Sequence, residues 1–140
     1  MRRSVLALVV SLMTIGSVSA DVRILSSSGG PVGGYLKFFS QLRQSGERVV
    51  IDGPCLSACT LVLSTIPRSR ICVTRRAVLG FHAPQVIDRN GRTFRSRDAT
   101  RALSAAYPAA VRTWIRRKGG LKQKFIYLRG RELAAMYARC

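Results

Sequence analysis

The chain has 140 residues, 24 Lys plus Arg, 6 Asp plus Glu and one His, giving a formal charge of +18 and a pI near 11.5. That length predicts one domain, a lone His excludes a histidine-rich metal site, and the scattered acids (Asp21, Glu47, Asp52, Asp88, Asp98, Glu132) supply a two-carboxylate site poorly. With 47% apolar residues the chain is not of disordered composition.

Residues 1–20 have the three parts of a secretory signal. Met1-Arg2-Arg3 is basic, Val5 to Ile15 is largely apolar, and Val18-Ser19-Ala20 is a small-residue cleavage site. The apolar run is too short to span a bilayer as a helix. Cleavage after Ala20 leaves a single domain over residues 21–140, with the charge reduced to +16 by loss of Arg2 and Arg3. The expected destination is secreted, and a periplasm fits. In such a compartment Cys55, Cys59, Cys72 and Cys140 predict two disulfides, with three connectivities open. A zinc site is disfavoured, because the 55/59 pair has no second close pair to match it.

Val22 to Leu25 predicts a strand, and Ser26-Ser27-Ser28-Gly29-Gly30-Pro31 a loop. From Val32 to Gln44 the spacing of Tyr35, Phe38, Phe39 and Leu42, with Leu36 beside them, predicts a helix stopped at Ser45-Gly46. Arg48 to Ile51 reads as a strand, Asp52-Gly53-Pro54 as a turn, and Leu56 to Ile66 as an apolar helix ended by Pro67. Ile71 to Val73 and Ala77 to Phe81 are further strands. Pro84 to Arg97 is polar and Arg-rich with a tight turn at Asn90-Gly91. Asp98 is placed to cap a helix through Ala106, and Pro108 kinks it or opens a second helix to Lys118. Gly119-Gly120 breaks the chain, Phe125 to Leu128 is extended, and Arg131 to Tyr137 forms a last turn or two of helix. This βαβαβ order predicts an α/β domain with a mostly parallel sheet. Right-handed crossovers bring the loops Ser27–Pro31 and Gly53–Ser57 to one sheet edge, where α/β proteins build sites.

Three features on that edge carry chemistry. Ser57 opens an apolar helix, where unpaired N–H groups and the helix dipole favour an anion, although a plain N-cap serine looks the same. His82 ends the strand Val78–Phe81 and is placed to take a proton, although a structural histidine bonded to a carbonyl fits as well. Gly29-Gly30 lets backbone N–H groups approach a ligand, but it lacks the spacing of a phosphate loop.

The order Gly-Gly after a strand, then Cys-Leu-Ser-Ala-Cys, then Leu-Gly-Phe-His resembles the Clp-protease/crotonase superfamily, in particular its small secreted ClpP-like members. In Clp proteolytic subunits a Ser-Pro-Gly-Gly loop helps form the oxyanion hole. A serine there opens a buried helix, and a histidine follows 25 residues later, the separation of Ser57 and His82. The match covers residues 22–84, and Tyr127-Leu128-Arg129-Gly130-Arg131-Glu132-Leu133 resembles the family's closing segment. The resemblance implies a ClpP/crotonase-like core, with Ser57 as nucleophile, His82 as general base and the N–H groups of Gly30 and Ala58 as oxyanion donors. It also places the final segment beside Ile71–Val73, which implies bridges Cys55–Cys59 and Cys72–Cys140. The family's third catalytic member is an Asp, and the corresponding stretch Leu121-Lys122-Gln123-Lys124-Phe125 has no acid. Lys122 and Lys124, if close, disfavour a protonated His82.

The expected function is therefore Ser-His hydrolysis of a peptide or acyl substrate, with no cofactor and no Clp unfoldase as partner. One alternative is a catalytically inactive ClpP-like fold used for binding or homo-oligomerisation. Another is an anionic-surface binder, in which Val111, Trp114 and Ile115 lie on a membrane beside Arg112, Arg116, Arg117 and Lys118. The charge suits nucleic acid, but no nucleic-acid-binding motif is present.

Overall fold

A computed structural model describes residues 20–140. The signal read at residues 1–20 lies outside them, apart from Ala20. Strand β1 (Asp21–Ile24) leads through the glycine loop to helix α1 (Val32–Ser45), then β2 (Arg48–Ile51). β3 (Pro54–Leu56) runs into a 3-10 helix over Ser57–Leu61 and one α-helical turn, α2 (Val62–Thr65). β4 (Ile71–Val73) and β5 (Val78–Phe81) follow, then a hairpin of β6 (Gln85–Ile87) and β7 (Thr93–Arg95). Helices α3 (Arg97–Ala106) and α4 (Ala109–Arg117) precede β8 (Ile126–Arg129), α5 (Gly130–Ala134) and the two-residue β9 (Ala138–Arg139).

The fold is α/β. One sheet is wholly parallel, in the order β1-β2-β4-β9, and a second has the order β3-β5-β8, with β3 and β5 parallel and β8 antiparallel. β2 and β4 are buried almost throughout, as strands covered on both faces must be, which is why their sequences are continuous apolar runs. Phe39 and Leu42 of α1, Leu61 and Val62, Phe81, Tyr107, Val111, Trp114, Ile115 and Leu128 share one core. Burying one such side chain contributes about 1.5–3 kcal/mol. Among the described residues no helix is long and apolar enough to cross a membrane.

Several sequence expectations are corrected. Asp52-Gly53-Pro54 is not a turn but a bend between β2 and β3, where one strand path passes from the first sheet to the second. Asp52 N–H donates to Ile24 O at 2.9 Å, and Val78 N–H donates to Gly53 O at 3.2 Å. A side chain at Gly53 would collide with the carbonyl oxygen of Leu25, so only glycine lets β1 pass this close. Asp52 itself is buried and accepts from Arg76 Nη2 at 2.6 Å, Thr74 Oγ1 at 2.7 Å and Arg23 Nη1 at 2.8 Å. Arg76 first, then Thr74 and Arg23, hold its carboxyl far below the usual carboxylate range.

The α3 cap is Ser96, whose Oγ accepts from Ala99 N–H at 3.1 Å, and Asp98 lies inside the first turn. The apolar stretch after Leu56 is 3-10 before it is α-helical, and the last helix ends at Ala134 rather than Tyr137. Phe38 and Leu36 stay 45% and 41% exposed, because Phe39 and Leu42 alone of that helix's apolar set point fully inward. Pro108 opens the separate helix α4. The α4 face of Val111, Trp114 and Ile115 is in the core, so it is not presented to a lipid surface.

Candidate functional site

β1 brings the glycine loop to the serine. Beyond Ile24 the chain leaves β2 and pairs with β3 instead. Ser27 N–H donates to Pro54 O at 2.8 Å, and Leu56 N–H donates to Ser27 O at 2.9 Å. The loops Ser27–Pro31 and Gly53–Ser57 therefore meet at one edge. A Cβ on Gly29, whose φ is +86°, would lie 2.5 Å from Ser57 Cβ and 2.7 Å from Leu56 O. The glycine loop is thus closed directly onto Ser57, and only glycine fits there.

Ser57 is the sole non-glycine residue with positive φ among the described residues, at +55°. Such a conformation costs about 1–3 kcal/mol and is held by its surroundings. It makes the sharp step from β3 into the 3-10 helix and lifts the side chain out of the strand path. Ser57 Oγ lies 2.7 Å from His82 Nε2. His82 follows β5, which pairs in parallel with β3, so neighbouring strands deliver the two side chains.

The His82 ring is half-buried and packs on Phe125, with ring centroids 4.5 Å apart and planes inclined by 37°. Burial lowers its pKa below the ordinary value of 6.5, which favours the neutral imidazole at pH 7. With the ring proton on Nδ1, Nε2 accepts the serine hydroxyl proton. No carboxylate is hydrogen-bonded to His82 among the described residues. Asp52 is taken up by Arg76, Thr74 and Arg23, Glu47 accepts from Ser45, and Asp88 accepts from the N–H groups of Asn90 and Arg92. Asp98 faces Arg101, and Glu132 faces Lys118. The Leu121–Phe125 stretch gives His82 a ring to stack on and ties the next residue, whose N–H donates to Lys122 O at 2.7 Å. Lys122 Nζ lies against Gly119.

Ser57, Ala58, Gly30 and His82 line one cleft of about 210 Å³, with Pro31, Val32, Pro84, Gln85, Leu103 and Tyr107 completing its walls. Neither the Gly30 nor the Ala58 N–H donates to a protein acceptor among the described residues. The walls mix apolar side chains with the polar groups of Ser57, His82, Gln85 and Tyr107, so a carbonyl between Ser57 Oγ and these N–H groups lies in a partly apolar setting.

Thr60 and Tyr107 are absent from the sequence reading. Thr60 Oγ1 donates to Ser57 O at 2.7 Å and lies 2.6 Å from Tyr107 Oη. Thr60 has one hydroxyl hydrogen, so Tyr107 is the donor in the second bond. The chain Tyr107 to Thr60 to Ser57 O fixes the plane of the Ser57–Ala58 peptide, and with it the direction of the Ala58 N–H. Burial pushes the Tyr107 phenol up to about 12. A Thr three residues after a helix-opening serine is a local back-bonding pattern, which was the one available signal. Thr60→Val leaves the Tyr107 hydroxyl and Ser57 carbonyl without their partner, and urea unfolding is expected to show a loss of about 1–3 kcal/mol. Thr60→Ser, which keeps the hydroxyl, is expected to lose less than Thr60→Val. An equal loss in both would show that packing, not the hydroxyl, matters there.

Cys55–Cys59 and Cys72–Cys140 are the two disulfides, the pairing the resemblance implies. The first brackets Ser57. The second ties β4 to the chain just beyond β9. Two such bridges fit an oxidising compartment. No protein-family model matches the chain, and no curated protein matches it either.

Proposed function

We propose that this protein is a secreted, probe-reactive serine hydrolase with a ClpP/crotonase-like core, cleaving a peptide or acyl bond through Ser57 and His82. The observation that carries the reading is the 2.7 Å approach of Ser57 Oγ to His82 Nε2 inside a cleft. The left-handed backbone at Ser57, the glycine loop closed against it and the two disulfides support it further. A periplasmic location fits the signal read in the sequence at residues 1–20 together with those bridges.

In this reading Ser57 Oγ attacks the substrate carbonyl carbon while its proton passes to His82 Nε2. The carbonyl oxygen becomes an oxyanion, which accepts hydrogen bonds from the N–H groups of Gly30 and Ala58. Collapse of the intermediate breaks the bond to the leaving group, which takes the proton from His82. A water then enters, gives a proton to His82 as it attacks the acyl carbon, and the bond to Ser57 Oγ breaks as Oγ takes that proton back from His82, releasing the acid. Replacing the acid of a Ser-His-Asp triad lowers turnover by about 10⁴-fold, so a pair without one is slow.

One observation favours a second reading, a ClpP-like fold that binds or oligomerises without catalysis. It is the absence of a carboxylate bonded to His82 among the described residues. A fluorophosphonate probe separates the two. The hydrolase reading expects covalent labelling at Ser57, seen by peptide mapping, and no labelling of Ser57→Ala. Failure to label the folded, oxidised protein would rule the hydrolase out and leave the binding fold.

A further inference from the structure

We infer that the site takes an extended acidic peptide, with an apolar residue seated in the cleft and carboxylates lying along the β6–β7 hairpin and the start of α3. The inference rests on the hydrolase reading for the identity of the cleft, and it adds the chemistry of what the cleft receives.

The catalytic cleft has no charged side chain in its walls. Pro31, Val32 and Leu103 offer apolar surface beside Ser57. The charge begins one step away. Gln85, on the cleft wall, is the cross-strand partner of Arg95. Arg95 in turn lines a second groove with Arg97, Thr100 and Arg101. Helix α3 joins the two, since Leu103 faces the cleft while Thr100 and Arg101 face the groove. A chain leaving the cleft past Gln85 therefore meets Arg95, its cross-strand neighbour, first.

Those groups are available. Arg95 and Arg97 are exposed, and among the described residues neither forms an ion pair. Of the nearby acids, Asp98 faces Arg101 at 3.8 Å, and the Asp88 carboxylate is occupied by the N–H groups of the hairpin turn. A groove in which Arg95 and Arg97 lack an acidic partner, beside an uncharged cleft, repels basic chains and favours acidic ones. Two planar guanidiniums suit carboxylates, which they bind through two parallel N–H donors.

Fluorescent peptides with a central Leu, flanked on both sides by either Glu or Gln pairs, test this by anisotropy on oxidised Ser57→Ala protein. The Glu peptide is expected to bind several-fold more tightly, up to about thirtyfold for two exposed pairs. The preference should shrink in 1 M salt, where screening acts within about 3 Å. Arg95→Gln with Arg97→Gln should remove most of it. Arg48→Gln, at the opposite end of β2, should not, although it removes a like charge. Equal affinity for the two peptides would overturn the inference. So would an Arg48→Gln loss as large as that of the groove variants, which would mean attraction to the whole basic surface. Binding is read without turnover, so a failed preference and a failed Ser57 labelling are separate results.

Discussion

His82→Ala is expected to slow fluorophosphonate labelling of Ser57 by about 10²–10⁴-fold, the range contributed by a positioned general base. The argument starts from geometry: at 2.7 Å, Nε2 is the atom within reach of the Ser57 proton. The pH dependence sharpens it. Burial lowers the His82 pKa below 6.5, so the imidazole is already neutral at pH 7 and labelling should be flat above that value. As pH falls below 6.5 the ring protonates and the rate drops, with a midpoint on the acid side of 6.5. Stability follows the same sign. The unfolded chain takes up the proton at the ordinary value and the folded chain only lower, so this contribution is present above 6.5 and is lost as pH falls through the folded value. A labelling midpoint above 6.5 would instead require an anion near the ring, and an unchanged rate in His82→Ala would remove His82 from the chemistry.

Where a triad holds its imidazole with a carboxylate, His82 is held by the aromatic ring of Phe125 on one face. A ring packed on one face restricts the tilt of the imidazole but offers no acceptor to its Nδ1 proton, as a carboxylate would. The lowered pKa of His82 has burial as its cause.

Local signals made much of this arrangement readable. β2 and β4 were visible as apolar runs with the bounds they have, and α1 was marked by its spacing and by Gly46, which closes it in the left-handed conformation. The crossover rule alone brought the glycine loop and the Ser57 turn to one edge. What stayed hidden depends on pairs far apart in sequence. Thr60 and Tyr107 are 47 residues apart, and nothing near either predicts the other. Gly53 has turn composition because the Leu25 carbonyl passes over it, a constraint set by another strand. The β6–β7 strands escaped because each is only three residues long, too short for an alternation to stand out, and they are largely exposed, with Ile87 69% and Phe94 49% exposed. β9 is two residues long and is a strand only because β4 lies beside it.

The two disulfides are expected to fail differently when removed. Cys72 and Cys140 are 68 residues apart, and a loop of that size constrains the unfolded chain by about 4 kcal/mol. That is a large part of the 5–15 kcal/mol by which domains are ordinarily stable. The bridge also anchors β9, whose register sets Cys72 against Ala138, and Cys140 N–H donates to Val73 O at 3.2 Å. Cys72→Ser with Cys140→Ser should therefore lower the urea midpoint strongly. It should leave the labelling rate of the remaining folded protein close to that of the parent, because neither cysteine lines the cleft. Cys55 and Cys59 are four residues apart, for which the same loop argument gives only about 2 kcal/mol. Their bridge spans the turn that holds Ser57 at a φ of +55°. Removing it by Cys55→Ala with Cys59→Ala releases a strained turn, so it should cost more in labelling rate than in stability. Urea unfolding and labelling kinetics on both double variants decide the matter. Equal stability losses, or a labelling rate indifferent to the Cys55–Cys59 bridge, would mean that it staples the fold and does not hold the serine.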